Sequence, residues 1–187
     1  MQSLTKILPF AKTLLESAIN PEDTVIDATA GNGHDTVFLG ELATTVHTFD
    51  VQEQAIQSTY LKVQEAGLCN VKLHHTGHEN VLDLVQEEIG AAIFNLGYLP
   101  GGDHSITTQG PTTWRAVQGM LKLLKVHGLV VLVIYHGHDQ GKVERHYIEE
   151  RVEELDSRAY QVLKYQFVNR PTSPYILCIE KLFEVEK

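Results

Sequence analysis

Apolar positions along this chain switch between helical and strand spacing in a regular order. Leu4, Ile7, Leu8, Ala11, Leu14, Leu15 and Ala18 recur at helical intervals and predict an amphipathic helix that packs on a sheet and ends at Asn20 and Pro21. A β-branched run, Val25 and Ile26, then leads into Asp27, and Thr36 to Leu42 reads as helix. Thr45 to Phe49 predicts a second strand ending in Asp50, Gln52 to Ala66 a helix closed by a left-handed cap at Gly67, and Val71 to His75 a third strand, with another helix beginning after Glu79. Ala91 to Phe94 is the fourth strand, Trp114 to Val126 a helix stopping at Gly128, and Leu129 to Tyr135 a continuous apolar run expected of a buried parallel strand. A charged helix from about Lys142 to Leu155 precedes two last strands, Tyr160 to Phe167 and Tyr175 to Lys181. Their six-residue connection, Asn169 to Pro174, predicts an antiparallel hairpin attached to the far edge of the sheet. Strands alternating with helices give an α/β fold with a mostly parallel sheet.

The stretch Thr24 to Thr36, TVIDATAGNGHDT, is strand, glycine turn, helix. Gly31 and Gly33 carry no Cβ, so backbone can approach a ligand there, and the following helix aims free N–H groups at the same place. A phosphate-binding loop for ATP or GTP would need Lys and then Ser or Thr after the last glycine, whereas His34 and Asp35 follow Gly33. A dinucleotide turn would carry Gly at position 36, which is Thr36, and Asp35 would set a carboxylate against the pyrophosphate. Asp27 and Asp35 suit a cation, and the amino acid end of S-adenosylmethionine offers an ammonium beside its sulfonium. The plain alternative is a loop that only connects strand to helix. Asp50, about twenty positions beyond the glycines, stands where a βαβ nucleotide site accepts hydrogen bonds from ribose hydroxyls.

Two further loops belong to the same rim if the sheet is parallel. After the third strand, Gly77, His78 and Glu79 would lie beside an adenine, where His78 or Glu79 can contact the exocyclic amine. The adjacent His74 and His75 point to opposite strand faces, so the histidines here supply only a partial ligand set and no metal is expected. After the fourth strand comes NLGYLPGGD, residues 95 to 103. An Asn carbonyl accepts from a primary amine and orients its lone pair, an aromatic stacks on a base, and Asp103 can accept a proton or bind an ammonium. Asn95, Tyr98 and Asp103 are therefore the catalytic candidates, each with a bland counterpart as turn or core residue.

The 187 residues fit one domain spanning the chain, and 43% hydrophobic with 21% charged residues is ordinary for a globular protein. No apolar run reaches the length of a membrane span, and Lys6, Pro9, Lys12 and Glu16 interrupt the opening helix, which is unlike a signal peptide. Cys69 and Cys178 lie far apart without metal-ligand spacing, which fits a cytoplasmic protein without disulfides. A net charge of −9 argues against indiscriminate nucleic-acid binding and leaves room for a local basic face.

The glycine motif, the acidic Asp50 and the terminal hairpin together resemble the seven-stranded Rossmann-like methyltransferases. More narrowly, AGNGHDT at 30 to 36 and NLGYLPGGD at 95 to 103 are similar to a small family of rRNA methylases, over nearly the whole chain. The second motif is the specific one. The resemblance implies a single Rossmann-like domain with helices on both faces and S-adenosylmethionine as cofactor. Around that cofactor it implies Asp27, Ala30, Gly31, Asn32, Gly33, Asp35 and Thr36 from the first turn, Asp50 and Gln52 after the second strand, and Gly77, His78 and Glu79 after the third. It further implies methylation of the amine of 5-aminomethyl-2-thiouridine at the tRNA wobble position, with the anticodon stem-loop as partner, although the older family label points to rRNA; a methyltransferase of a small amine and a non-enzymatic nucleoside-binding module are the alternatives. A monomer or homodimer without metal or membrane attachment is expected. The chain departs from the general glycine motif at Thr29, where Gly is common, and carries His104 in place of the Lys often found in relatives, which makes residue 104 a poor amine contact. NLGY keeps only the Asn and the aromatic of the Asn/Asp-Pro-Pro-aromatic pattern of amino-methyltransferases.

Overall fold

The computed structural model describes residues 4–97, 107–137 and 139–183. Helix α1 (Ile7–Ala18) is followed by β1 (Thr24–Asp27), α2 (His34–Leu42), β2 (Thr45–Asp50), α3 (Glu53–Glu65) and β3 (Val71–His75). A 3₁₀ turn, His78–Asn80, runs into the short α4 (Val81–Leu84). The second half holds β4 (Ile89–Leu96), α5 (Gly110–Leu123), β5 (Leu124–Ile134), α6 (Asp139–Glu153), β6 (Tyr160–Tyr165) and β7 (Tyr175–Lys181). The strands form one sheet in the order β3-β2-β1-β4-β5-β7-β6, parallel except for β7, which pairs antiparallel with both β5 and β6. The hairpin therefore joins the sheet through its second strand, and β6 becomes the edge.

Alternation along β4 divides the core. Ala91 and Ile93 pack with Val25, Val46, Leu39 and the α1 residues Ala11 and Leu15 on one face. Ala92, Phe94 and Leu96 pack with Phe49, Leu132 and the α5 and α6 residues Met120 and Ile148 on the other. Both faces of the strand are thus covered, which explains its apolar sequence up to Phe94, before Asn95 at its carboxyl end. Burying each large side chain of this kind contributes about 1.5–3 kcal/mol.

Three local expectations change. The helix predicted to reach Val126 ends at Leu123, and Leu124 already pairs with Ile89. The pairing outcompetes helix continuation because Lys181 Nζ donates to the Leu124 carbonyl at 2.7 Å and Lys125 reaches Asp23 at 2.5 Å. The first helix starts at Ile7 rather than Leu4, which is exposed, and His127 beyond α5 takes a left-handed φ of 65°. The hairpin loop is longer than six residues, since β6 stops at Tyr165. Gly67 does adopt φ of 69°, and Leu68 N–H reaches back to the Val63 carbonyl, a Schellman closure of α3.

Candidate active site

The order β3-β2-β1-β4-β5 reverses direction between β1 and β4, so the connections from these two strands leave on opposite sides and open a crevice at their carboxyl ends. A cleft of 310 Å³ lies there. Ala28, Thr29 and Gly31 line it after β1, Asp50 and Gln52 after β2, Gly77, His78 and Glu79 after β3, and Asn95 and Gly97 at the end of β4. Four strand ends thus converge on one space.

Asp50 ties two of these walls together. Its Oδ2 accepts from Gly31 N–H at 3.1 Å and its Oδ1 from Gln52 N–H at 2.9 Å, leaving each oxygen with lone-pair capacity toward the cleft. The turn that reaches it needs left-handed backbone at Gly31 (φ 52°) and Gly33 (φ 79°), and a Cβ on Gly33 would stand 2.9 Å from Thr59 Cα. These glycines are required by conformation and by the packing of α2 on α3. His78 is buried and its Nδ1 lies 2.9 Å from the Ala28 carbonyl, which only an N–H can satisfy. Burial lowers its pKa, so the ring is neutral and Nε2 is left as an acceptor.

Several predicted residues do not face the cleft. Asp27 is fully buried behind the turn, accepting from Thr36 Oγ1 at 2.6 Å and from Thr29 N–H at 3.1 Å. Thr36, also fully buried, lies 3.2 Å from Thr48 Oγ1 as well, so this pair stitches α2 to the sheet. Ala30 and Gly33 shape the turn through Ala30 N–H to Phe49 O and Gly33 N–H to Ala30 O, and Asn32 is exposed at its tip. Asp35 turns to Asn95, whose Nδ2 donates to Asp35 Oδ2 at 2.7 Å. Tyr98, Asp103 and His104 lie outside the described residues.

The three histidines near β3 part company: His74 bonds His47 at 2.9 Å, His75 the Val51 carbonyl and His78 the Ala28 carbonyl. Among the described residues no three His, Cys, Asp or Glu side chains are grouped to hold a metal, and no helix is long and apolar enough to cross a membrane.

Residues that sequence reasoning passed over complete the site. Thr29, noted only as a departure from Gly, accepts the Asn95 backbone N–H on Oγ1 at 2.7 Å. Thr107, Thr108 and Thr112 line the cleft after NLGYLPGGD. Glu144 of α6 is buried and accepts from Thr108 Oγ1 at 2.6 Å and Thr113 Oγ1 at 2.7 Å, while Thr108 N–H donates to Gly97 O. The run TTQGPTT, rich in hydroxyls across the start of α5, was the available signal.

Burial, with the nearby Asp35 charge adding to it, raises the Asp27 pKa from 3.8 to about 8. The folded chain therefore keeps a proton that the unfolded chain loses above its ordinary value. The contribution of this group to stability is full below pH 3.8 and declines up to about pH 8. Asp27→Asn, whose amide oxygen can still accept from Thr29 N–H while its Nδ2 meets the Thr36 hydroxyl as a donor, is expected to remove that decline. Across this window the wild type should lose, relative to the variant, at most about 1.4 kcal/mol per pH unit, read as melting temperatures of cofactor-free protein. Parallel pH profiles for the two proteins would refute it.

The comparisons with known proteins agree with this geometry. The family model described as "Putative rRNA methylase" matches residues 46–181. A chloroplastic tRNA (mnm(5)s(2)U34)-methyltransferase of Arabidopsis thaliana is 34% identical over 190 residues, covering 94% of this chain and 69% of the relative. The methyltransferase homologue SMU.1697c of Streptococcus mutans, solved in complex with SAH, the demethylated cofactor, shares 39% identity with a TM-score of 0.91 over 96% of this chain and all of that one. An rRNA-methylase-class protein of Clostridium thermocellum shares 35% identity with a TM-score of 0.95 over 97% of this chain and all of its own. With its switch-point cleft and a family match over most of its length, the chain belongs to the rRNA methylase family of methyltransferases.

Proposed function

We propose that this methyltransferase converts 5-aminomethyl-2-thiouridine to 5-methylaminomethyl-2-thiouridine at the tRNA wobble position, using S-adenosylmethionine. The use of that cofactor follows from the family and its SAH-bound relative. The cleft fits such a group in its chemistry. Asp50 has acceptor capacity for a ribose diol, neutral His78 has an acceptor for an exocyclic amine, and Gly31 allows close backbone approach. When bound, S-adenosylmethionine supplies a methyl on a cationic sulfur, so that forming the new C–N bond returns the C–S electron pair to sulfur without an acid catalyst. The residues then have to align the amine, exclude water and favour its unprotonated form.

The observation that carries the reading is Asn95 at the end of β4, sharing one cleft with Asp50. Its side chain suits an amine acceptor better than a carbon or hydroxyl one, because an amide carbonyl accepts an amine N–H while leaving the lone pair free. The tRNA rather than rRNA substrate is favoured by the Arabidopsis relative at 34% identity, and the family label favours rRNA. An anticodon stem-loop carrying 5-aminomethyl-2-thiouridine should be methylated by the purified protein, and tRNA nucleosides from a strain lacking it should accumulate the unmethylated amine by mass spectrometry. Methylation of ribosomal RNA with the stem-loop untouched would transfer the assignment to rRNA.

A further inference from the structure

Asp35 was expected at the cofactor's ammonium, yet it is absent from the residues lining the cleft and its Oδ2 lies 2.7 Å from the Asn95 side-chain amide nitrogen. A carboxylate can only accept, so the atom of Asn95 turned to it must be Nδ2, and Oδ1 is the atom left for another partner. The backbone of Asn95 is held as well, by its N–H on Thr29 Oγ1 at 2.7 Å. The main chain is therefore pinned by the β1–α2 connection and the side chain by α2 itself. Asp35 sits in the first turn of α2, where the helix N-terminus favours a carboxylate.

We propose that Asp35 is the positioning residue of the methyl-transfer site, fixing the Asn95 amide so that Oδ1, and not Nδ2, is presented to the acceptor amine. The inference rests on the amine-orienting role of Asn95 proposed above. With Oδ1 outward, the amine donates an N–H and keeps its lone pair for the methyl group. With the amide reversed, Nδ2 would donate into that same lone pair and compete with attack.

The test uses the full-length protein with radiolabelled S-adenosylmethionine and total RNA from a strain lacking it, a probe that holds either candidate RNA. Asp35→Ala should lower the methylation rate at saturating cofactor about ten- to hundredfold, the range for losing a hydrogen bond to a charged group, with little change in cofactor Kd by calorimetry. In an Asn95→Ala background it should add nothing. In cofactor-free protein, the side-chain amide proton resonances of Asn95, identified by their loss in Asn95→Ala, should move in Asp35→Ala. The exchange Asp35→Asn with Asn95→Asp reverses the same hydrogen bond and keeps an oxygen toward the amine. It should be faster than Asn95→Asp alone, which sets two carboxylates together, and it remains informative if Asp35→Ala folds poorly. Loss of cofactor affinity with the rate intact would return Asp35 to the ammonium and overturn the inference. Additive losses, unmoved resonances or no recovery on exchange would overturn it too. If Asn95→Ala is slow while Asp35→Ala is normal, only this inference fails; if Asn95→Ala is normal, the amine-orienting reading fails with it.

Discussion

Asn95→Ala is expected to lower the single-turnover methylation rate by about a hundredfold or more while leaving cofactor affinity near that of the wild type. The size follows from what the side chain is asked to do: a displacement at carbon needs the nitrogen lone pair in line with the methyl, and misplacement by about 1 Å costs on the order of 10²-fold. Removal of a contact that matters chiefly when the amine attacks reduces turnover rather than ground-state binding. Asn95 is half-buried and its backbone N–H bond to Thr29 does not depend on the side chain, so the fold should survive the change. Rates on the anticodon stem-loop and cofactor titrations, measured separately, decide it. A wild-type rate in the variant would remove Asn95 from the chemistry.

Asp50→Ala should act at the other end of the cleft and in the opposite kinetic sense. Loss of a hydrogen bond to a charged carboxylate costs roughly 1.5–3 kcal/mol, so S-adenosylmethionine should bind about 10- to 150-fold more weakly. The same substitution frees the N–H groups of Gly31 and Gln52, which Asp50 now holds at 3.1 and 2.9 Å, so the glycine turn also loses its tether to β2. Asp50→Asn separates the two contributions. The Asn side chain retains an acceptor for one N–H and meets the other with a donor, so its affinity should fall between those of wild type and Asp50→Ala. Calorimetry with S-adenosylmethionine or SAH measures all three proteins, and equal affinities would exclude Asp50 from the ribose.

The sequence by itself determined the order of elements, because both periodicities are written in single residues: Ile7 to Ala18 every third or fourth position, Leu129 to Ile134 without a break. It also determined the candidate rim, since in a parallel sheet Asp50 and Asn95 must emerge at strand carboxyl ends, and both line the cleft. The glycine turn was legible for the same local reason, as φ of 52° and 79° are conformations that Gly adopts without strain. Only the tertiary structure decided where neighbouring polar side chains turn. Asp27, Asp35 and Thr36 share one short motif, yet Asp27 and Thr36 bond each other behind the turn while Asp35 reaches a residue 60 positions away on β4. Nothing within the motif distinguishes these outcomes, because they depend on which strand lies alongside. The boundary at Leu124 and the insertion of β7 between β5 and β6 have the same origin. A backbone hydrogen bond is satisfied equally well by helix or ladder, and partners such as Ile89 and the Lys181 ammonium, far along the chain, select between them.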